Sequence, residues 1–525
     1  MKSLIFKKLT SNRWLSTNNP YRITGRSSHM NDNTLFNLKK KSPACFTLTW
    51  FLFGSLFLFA VSLESESAAA ELYVGGATVS ITPELPVSLT GQMRTRIAKK
   101  VESEVTATVL VLESREGDKS LDYAILVSCD LVCIRGGILE AVRERVKSQL
   151  KEIDVTKVIL NATHTHTAPT LIEGRYSLPA TGVVQPRDYV KFASERIADA
   201  IVKAWNTKQP GSVGWGLGHA VVAQNRRALY ANGLARMYGA TNDKKFRGIE
   251  GYEDHGLEVL FFWNANKELI ATAINVACPA QAVEGRSAVN ADFWHPVREK
   301  LRAKYGQDLL VLGWAGAAGD QVPRPMYRKK AEERMRNLRG LTLLEEIARR
   351  IVAGWEEAYA GASKERHSNP ELIHKVKTIE LPLRIVTEED YKRVKKEVAS
   401  YENDPAKVWI KNWKQSVLDR YQRQKTGEAK PYRMELHTIR LGDVVLATNE
   451  FELFNDFGTQ MKSRSPALQT FVIQLCGAGS YVPNKRAVLG GSYSAVIESN
   501  LVGHEGGQVL TEQTIDSIKE LFPQK

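Results

Sequence analysis

Val158-Ile159-Leu160-Asn161-Ala162-Thr163-His164-Thr165-His166-Thr167-Ala168-Pro169 is the stretch from which the rest of this chain is read. Its β-branched, apolar start predicts a buried strand, and Pro169 stops regular structure. On an extended backbone, His164 and His166 fall on the same side, because strand side chains alternate with period two. Two imidazoles projecting together from a strand end can bind a metal, or one can bind metal while the other moves protons. A pair of hydrogen-bonded loop histidines has the same spacing.

Strands and helices alternate on either side. Leu72 to Pro83 reads as a strand broken by Gly75-Gly76, Val105 to Leu112 as a second, and Tyr123 to Ser128 as a third, buried on both faces. Ile138 to Leu150 has helical spacing, and Tyr189 to Trp205 puts Val190, Ala193, Ile197, Ala200, Ile201 and Ala204 on one helical face. Later strands are expected at Gly211–Trp215, Leu257–Trp263, Leu269–Val276, Leu309–Trp314, His437–Thr448 and Gln469–Leu475. Between Trp314 and His437 the chain is polar and helical. Ala331–Tyr359 reads as one or two helices, and Glu388–Gln424, which contains Trp409 and Trp413, as a charged, solvated helical stretch. The expected class is α/β, a mixed β-sheet core flanked by helices. In such sheets ligands sit beyond the carboxyl ends of strands, where Asp130 and the histidine pair are placed.

The 525 residues are 43% hydrophobic and 25% charged, enough for a packed core. The formal net charge is +14, but the first 43 residues supply eight of these charges, and no zinc-finger spacing or basic stripe with interleaved aromatics follows. Nucleic acid is therefore excluded as a main partner. Ala44 to Leu63 is uncharged; Lys39-Lys40-Lys41 precede it and Ala68-Ala69-Ala70 follow. That order is a secretory signal peptide, with an uncleaved membrane anchor as its rival. Residues 1–70 are thus expected to be a basic leader plus signal, with Met30 an alternative start. Residues 71–525 are expected to be one exported domain with a helical insertion around 326–430. Cys45 would leave with the signal. Cys129, Cys133, Cys278 and Cys476 are too scattered for a disulfide framework.

Three further stretches carry chemical groups. Gly313-Trp314-Ala315-Gly316-Ala317-Ala318-Gly319-Asp320 has little bulk, so backbone there could approach a ligand or pack as a tight turn. Glu450 and Glu452 would share a face if extended, and Tyr481 follows a Gly-rich turn.

Taken together, Val74-Gly75-Gly76-Ala77, Ile81-Thr82-Pro83, Gly91, Thr163-His164-Thr165-His166-Thr167, Asn225-Arg226, Gly319-Asp320 with Pro323, Glu452 and Tyr481 resemble the catalytic domain of the neutral ceramidase family. The resemblance spans most of residues 72 to 500, and the family's C-terminal immunoglobulin-like domain is expected to be absent. It implies a zinc amidase acting on a small-molecule or lipid substrate, with membrane-surface contact in reach; it says nothing of oligomeric state. One zinc ion would be held by His164, Glu452 and Tyr481, with His166, Arg226 and Asp320 taking part in the reaction. Two positions depart from the family. Pro279 stands at its second zinc histidine, leaving His295, Cys278, Asp292 or water as replacements, and Val322 stands at its serine. Those losses also suit a catalytically altered or inactive relative that binds a polar ligand such as a sugar or lipid headgroup. A third reading is a surface protein anchored by residues 44–63.

Overall fold

The computed structural model describes residues 70–523 apart from 402, 403, 405 and 406. The leader, the candidate signal at Ala44–Leu63 and Cys45 lie outside the described residues. Among the described residues no helix is long and apolar enough to cross a membrane.

Apolar β-branched runs build the central sheet. Its eight strands lie in the order Leu310–Ala315, Leu269–Val276, Gly256–Asn264, Gln209–His219, Glu71–Ser80, Thr106–Glu116, Lys119–Cys129, Val158–Ala162. The two outermost pairs are parallel and all other neighbours antiparallel. Counted along this ladder, the two edge strands run in opposite senses. A twist of about 20–25° at each of roughly seven steps turns one edge through nearly half a circle relative to the other. The edges accordingly meet: Ser128 Oγ donates to Gly313 O at 2.7 Å and Asn161 Nδ2 to the same oxygen at 3.2 Å. The twist thus brings the carboxyl ends of both parallel pairs to one place.

A second sheet, Leu372–Leu381, Tyr432–Leu441, Val444–Thr448 and Gln469–Ile473, stacks on the first. Leu372, Ile439, Leu446 and Phe471 interdigitate with Leu112, Leu126, Phe262 and Trp314 between them. The other face of the large sheet is covered by helices. Ile138–Gln149 and Pro186–Asn206 pack on one half, and Trp294–Tyr305 and Leu343–Ala362 on the other. Asn455–Arg464 and His504–Lys519 cover the outer face of the small sheet. The mixed α/β class expected from the sequence is what is found.

Three details differ from the sequence reading. Glu71–Ser80 is unbroken. Its paired glycines are there for packing, since a Cβ on Gly75 would meet Ala204 O and one on Gly76 a methyl of Leu310. His437–Thr448 is not one strand but the turn of a hairpin, reversed at Gly442 with φ 62°. The region between Trp314 and His437 also contains the Leu372–Leu381 strand. It pairs with Tyr432–Leu441 over its whole length, a partner sixty residues away that no local periodicity announces.

Candidate metal and catalytic site

Five chain segments leave strand ends and converge. The extension of Gln469–Ile473 runs between the edge strands, because Ala162 N donates to Leu475 O at 3.1 Å and Gln474 N to Ala315 O at 3.0 Å. Beyond Thr448, Glu452 and Leu453 pair in parallel with Tyr481 and Val482, which sets the Glu452 and Tyr481 side chains next to each other. Gly319 N donates to Leu453 O at 2.8 Å, and a Cβ on Gly319 would collide with Glu452 O. The small residues after Leu310–Ala315 therefore serve close packing of backbone on backbone, the tight-turn alternative, and thereby seat Glu452.

The histidine pair reaches the same point by a route the spacing did not predict. Regular strand ends at Ala162, and His164 has φ 69°, so the pair is not on extended backbone. A left-handed residue redirects the chain, and the two rings meet edge-to-face with centroids 4.7 Å apart. His164 Nδ1 lies 2.7 Å from Val132 O, so this nitrogen carries the proton and Nε2 keeps its lone pair. That lone pair faces Glu452 Oε2 at 3.3 Å and His166 Nε2 at 3.1 Å. Burial pushes the Glu452 carboxyl up, but His164 and a hydrogen bond from Tyr481 bring it below the ordinary carboxylate value. Tyr481 OH accepts from Arg226 Nη2 at 3.1 Å, and Arg226 also donates to Gly319 O at 2.8 Å.

Whether these groups suit a cation is decided by the donor chemistry. An imidazole nitrogen aimed at a carboxylate oxygen is held there by a proton or by a metal ion between them. Two ligands of a tetrahedral zinc with bonds of about 2.0–2.1 Å stand roughly 3.3 Å apart, which is the His164–Glu452 separation. With the Tyr481 phenol this makes a three-donor set of mixed type that fits one divalent ion. Among the described residues, no group of three or more His, Cys, Asp or Glu side chains forms a metal site. Pro279 stands where the resemblance implies a further histidine. Pro279 sits in the loop that docks on the histidine stretch through Ala280 N to Thr163 O at 3.1 Å. None of the candidate replacements joins the set. His295 is exposed on the first turn of Trp294–Tyr305. Burial drives the Cys278 thiol far up, keeping it protonated. Asp292 accepts from Val283 N at 2.9 Å and Phe293 N at 2.8 Å.

His166 is buried, which with the adjoining His164 ring and the charges of Arg96, Arg226 and Arg324 holds it well below an ordinary histidine, hence neutral. Its room is provided by Gly91, at φ 95°, where a Cβ would lie 2.5 Å from the ring. Glu284 Oε2 stands 3.5 Å from His166 Nδ1 and accepts from Gln92 Nε2 at 3.2 Å, while its other oxygen pairs with Arg324. Arg96 ties the loops together, donating to His166 O at 2.6 Å and to Glu284 O at 2.8 Å. Sequence reading missed Glu284, Arg324 and Arg96, which sit in no motif. The one signal was Gly91, already singled out.

The other candidates make loop and core contacts. Asp320 is pushed by burial to about 6; it accepts from Asn225 Nδ2 at 2.7 Å and Asn455 N at 3.1 Å, locking the loops around Arg226. Val322 is buried in a short ladder with Gln224. Asp130 lies beneath the histidine loop in a bidentate pair with Arg298, 2.6 and 3.0 Å. Glu450 does not share a face with Glu452: Tyr432 OH donates to it at 2.6 Å, and it lines a separate cleft of about 470 Å³.

No family model and no curated protein sequence matches the chain. Its fold does have solved counterparts. The neutral ceramidase from Pseudomonas aeruginosa superposes with a TM-score of 0.62 at 18% identity, over 87% of this chain and 76% of that one. A ceramidase complexed with C2 gives 0.62 at 16% identity, over 86% and 75%. The fold is thus shared with ceramidases.

Proposed function

We propose that this protein is an exported, zinc-dependent hydrolase of amide or ester bonds. The observation that supports it best is the meeting of His164, Glu452 and Tyr481, from three separate strand ends, beside a second imidazole. Those three side chains would hold the ion. Bound there, zinc polarises a carbonyl and lowers the pKa of a water to roughly 7. The remaining work falls to the chain itself. His166, whose Nδ1 has no hydrogen-bond partner among the described residues and lies 3.5 Å from the Glu284 carboxylate, would serve as the base that accepts and returns a proton. Arg226, whose Nε has no partner among the described residues, offers a donor to negative charge growing on the carbonyl oxygen. Asp320 acts as a positioning residue through Asn225. The ceramidase fold supports acyl-bond hydrolysis on a small-molecule or lipid substrate, with contact at a membrane surface as part of the same reading.

Pro279 and Val322 support a second reading, a relative that binds a polar ligand in this cleft with altered or no catalysis. Metal analysis separates the two. Purified wild type is expected to carry about one zinc per chain and His164→Ala much less. A screen of N-acyl lipids, N-acyl amino acids and N-acetylated sugars is expected to find turnover that a chelator abolishes. Metal-free wild type, inert on every substrate, would end the hydrolase reading. Export is tested by sequencing the mature N-terminus. The first strand begins at Glu71, so a cut after Ala70 spares every described strand.

A further inference from the structure

Charge around the histidine pair is unevenly matched. Buried Arg96 donates only to backbone oxygens, those of Thr90, His166, Glu284 and Arg286, and buried Arg226 only to Gly319 O and Tyr481 OH. Arg135 donates to Gly479 O, and Arg175 lies over the Trp409 and Tyr176 rings at 5.4 and 5.9 Å. None of these four forms an ion pair with a carboxylate among the described residues. Arg324 does, with Glu284. Against these five guanidinia stand the carboxylates of Glu452, Glu284 and Asp320, and a bound cation would widen the surplus. Buried charge without a counter-ion is costly, and positive charge gathered in a cleft draws anions.

Arg324 is placed to present that charge to a ligand. Its side chain is 39% exposed, and its contacts with Glu284 and Gln281 O both use Nη2, so Nη1 stays open to solvent. Glu284 stands 3.5 Å from His166 Nδ1, so a single carboxylate separates the guanidinium from the candidate base. The exposed Tyr238 ring lies beside the guanidinium, its centre 5.6 Å from Cζ. Tyr238 N donates to Arg226 O at 2.8 Å, at a φ of 54° that is disfavoured for a bulky residue. Strain of this kind gathers at ligand clamps. Solvent also reaches the chemistry, with the His166 and Glu452 side chains 10% and 14% exposed. A guanidinium stacked on a ring, with one nitrogen open, makes a strong charge-assisted bond to a carboxylate or phosphate. A neutral alcohol headgroup leaves its charge unmatched.

We propose that the substrate carries a negative group, a carboxylate or a phosphate, a few atoms from its acyl bond, and that Arg324, presented on Tyr238, is the specificity-determining residue that binds it. This rests on the hydrolase reading only in calling the ligand a substrate, and binding is measurable without turnover. The probes are N-octanoylglycine, N-octanoyl ethanolamine and the O-phosphate of the latter, which share an acyl chain and differ in the charge beyond the amide. Saturation-transfer NMR titrations on the protein as purified report bound probe and any released octanoate in the same spectra. At low salt at least one anionic probe is expected to bind about tenfold or more tighter than the ethanolamide, with the preference shrinking as salt is raised. The tighter of the two anions identifies the group. Arg324→Gln is expected to bring the anions down to the level of the ethanolamide, whose own affinity stays the same and so reports an intact cleft. Arg324→Lys keeps a charge for Glu284 but loses the planar stack, and is expected to lose severalfold of the preference. An ethanolamide bound as tightly as both anions by wild type overturns the proposal. So does a preference undiminished in Arg324→Gln or, should that variant not fold, in Arg324→Lys. Anion preference without hydrolysis of any amide keeps the role of Arg324 and removes the hydrolase; hydrolysis with no anion preference does the reverse.

Discussion

His164, the imidazole that faces Glu452, has a backbone conformation that costs a non-glycine residue of order 1–3 kcal/mol. Its φ of 69° is held by the Nδ1 bond to Val132 O, and only that bend aims Nε2 at Glu452. His166 has a different task. His166→Ala is expected to retain metal while losing turnover by roughly 10²–10⁴-fold, the usual contribution of a general base; loss of metal in this variant would reverse the roles assigned within the pair. Gly91 tests the same ring from the outside. Gly91→Ala introduces a Cβ 2.5 Å from His166 at a φ of 95°. We expect it to keep its metal, to lose at least about tenfold in turnover, and to lose about 1–3 kcal/mol in urea unfolding.

Among the elements, the segment from Ala162 to Pro169 is held from below by the Trp294–Tyr305 helix. Arg298 reaches from it to Asp130, and both side chains are buried; Thr163 Oγ1 donates to the same carboxylate at 3.2 Å. Asp130→Asn leaves a buried guanidinium uncompensated, and denaturant titration should register a loss of about 3–5 kcal/mol. The double variant Asp130→Asn, Arg298→Met should recover much of it, since removing both charges abolishes the penalty. Helix boundaries here follow from local chemistry. Thr342 with Glu345 and Thr387 with Asp390 each form a capping box, and Pro186 opens its helix. The hairpin at Gly442 and the Leu372–Leu381 strand were harder, because their identity depends on a pairing partner.

At the scale of the molecule, the two sheets are joined by a buried histidine pair with a pH signature. His374 Nδ1 lies 3.1 Å from Tyr123 O, its Nε2 lies 3.1 Å from His437 Nδ1, and His437 faces Glu435, itself paired with Arg143. Burial depresses both imidazoles, His374 well below the ordinary value, further lowered by His437; Glu435 opposes the effect on His437. Unfolded histidines titrate near 6.5, so below that pH the unfolded chain binds the extra protons. Stability from this pair is complete above about pH 6.5 and declines as pH falls toward the folded pKa values. Asp292 and Asp320, raised by burial to about 6, act with the opposite sign. The difference between wild type and His374→Gln is therefore the quantity to measure. Wild type should lose more unfolding free energy between pH 7 and 5 than the variant.

The mixed α/β class, most strands of the large sheet with their flanking helices, and the presence of histidine, glutamate and tyrosine after strands could be read from the sequence alone. Those signals are local: apolar periodicity, caps and residue type. Which strand ends meet was decided only in three dimensions. His164 lies 288 positions from Glu452, and the sheet's accumulated twist closes that gap. Glu284 and the Arg324–Tyr238 stack also belong to the tertiary structure, because proximity across loops leaves no periodic trace. The physical reason is the same throughout. Backbone preference acts over a few residues, whereas a site of this kind is an intersection of distant segments set by sheet twist and packing.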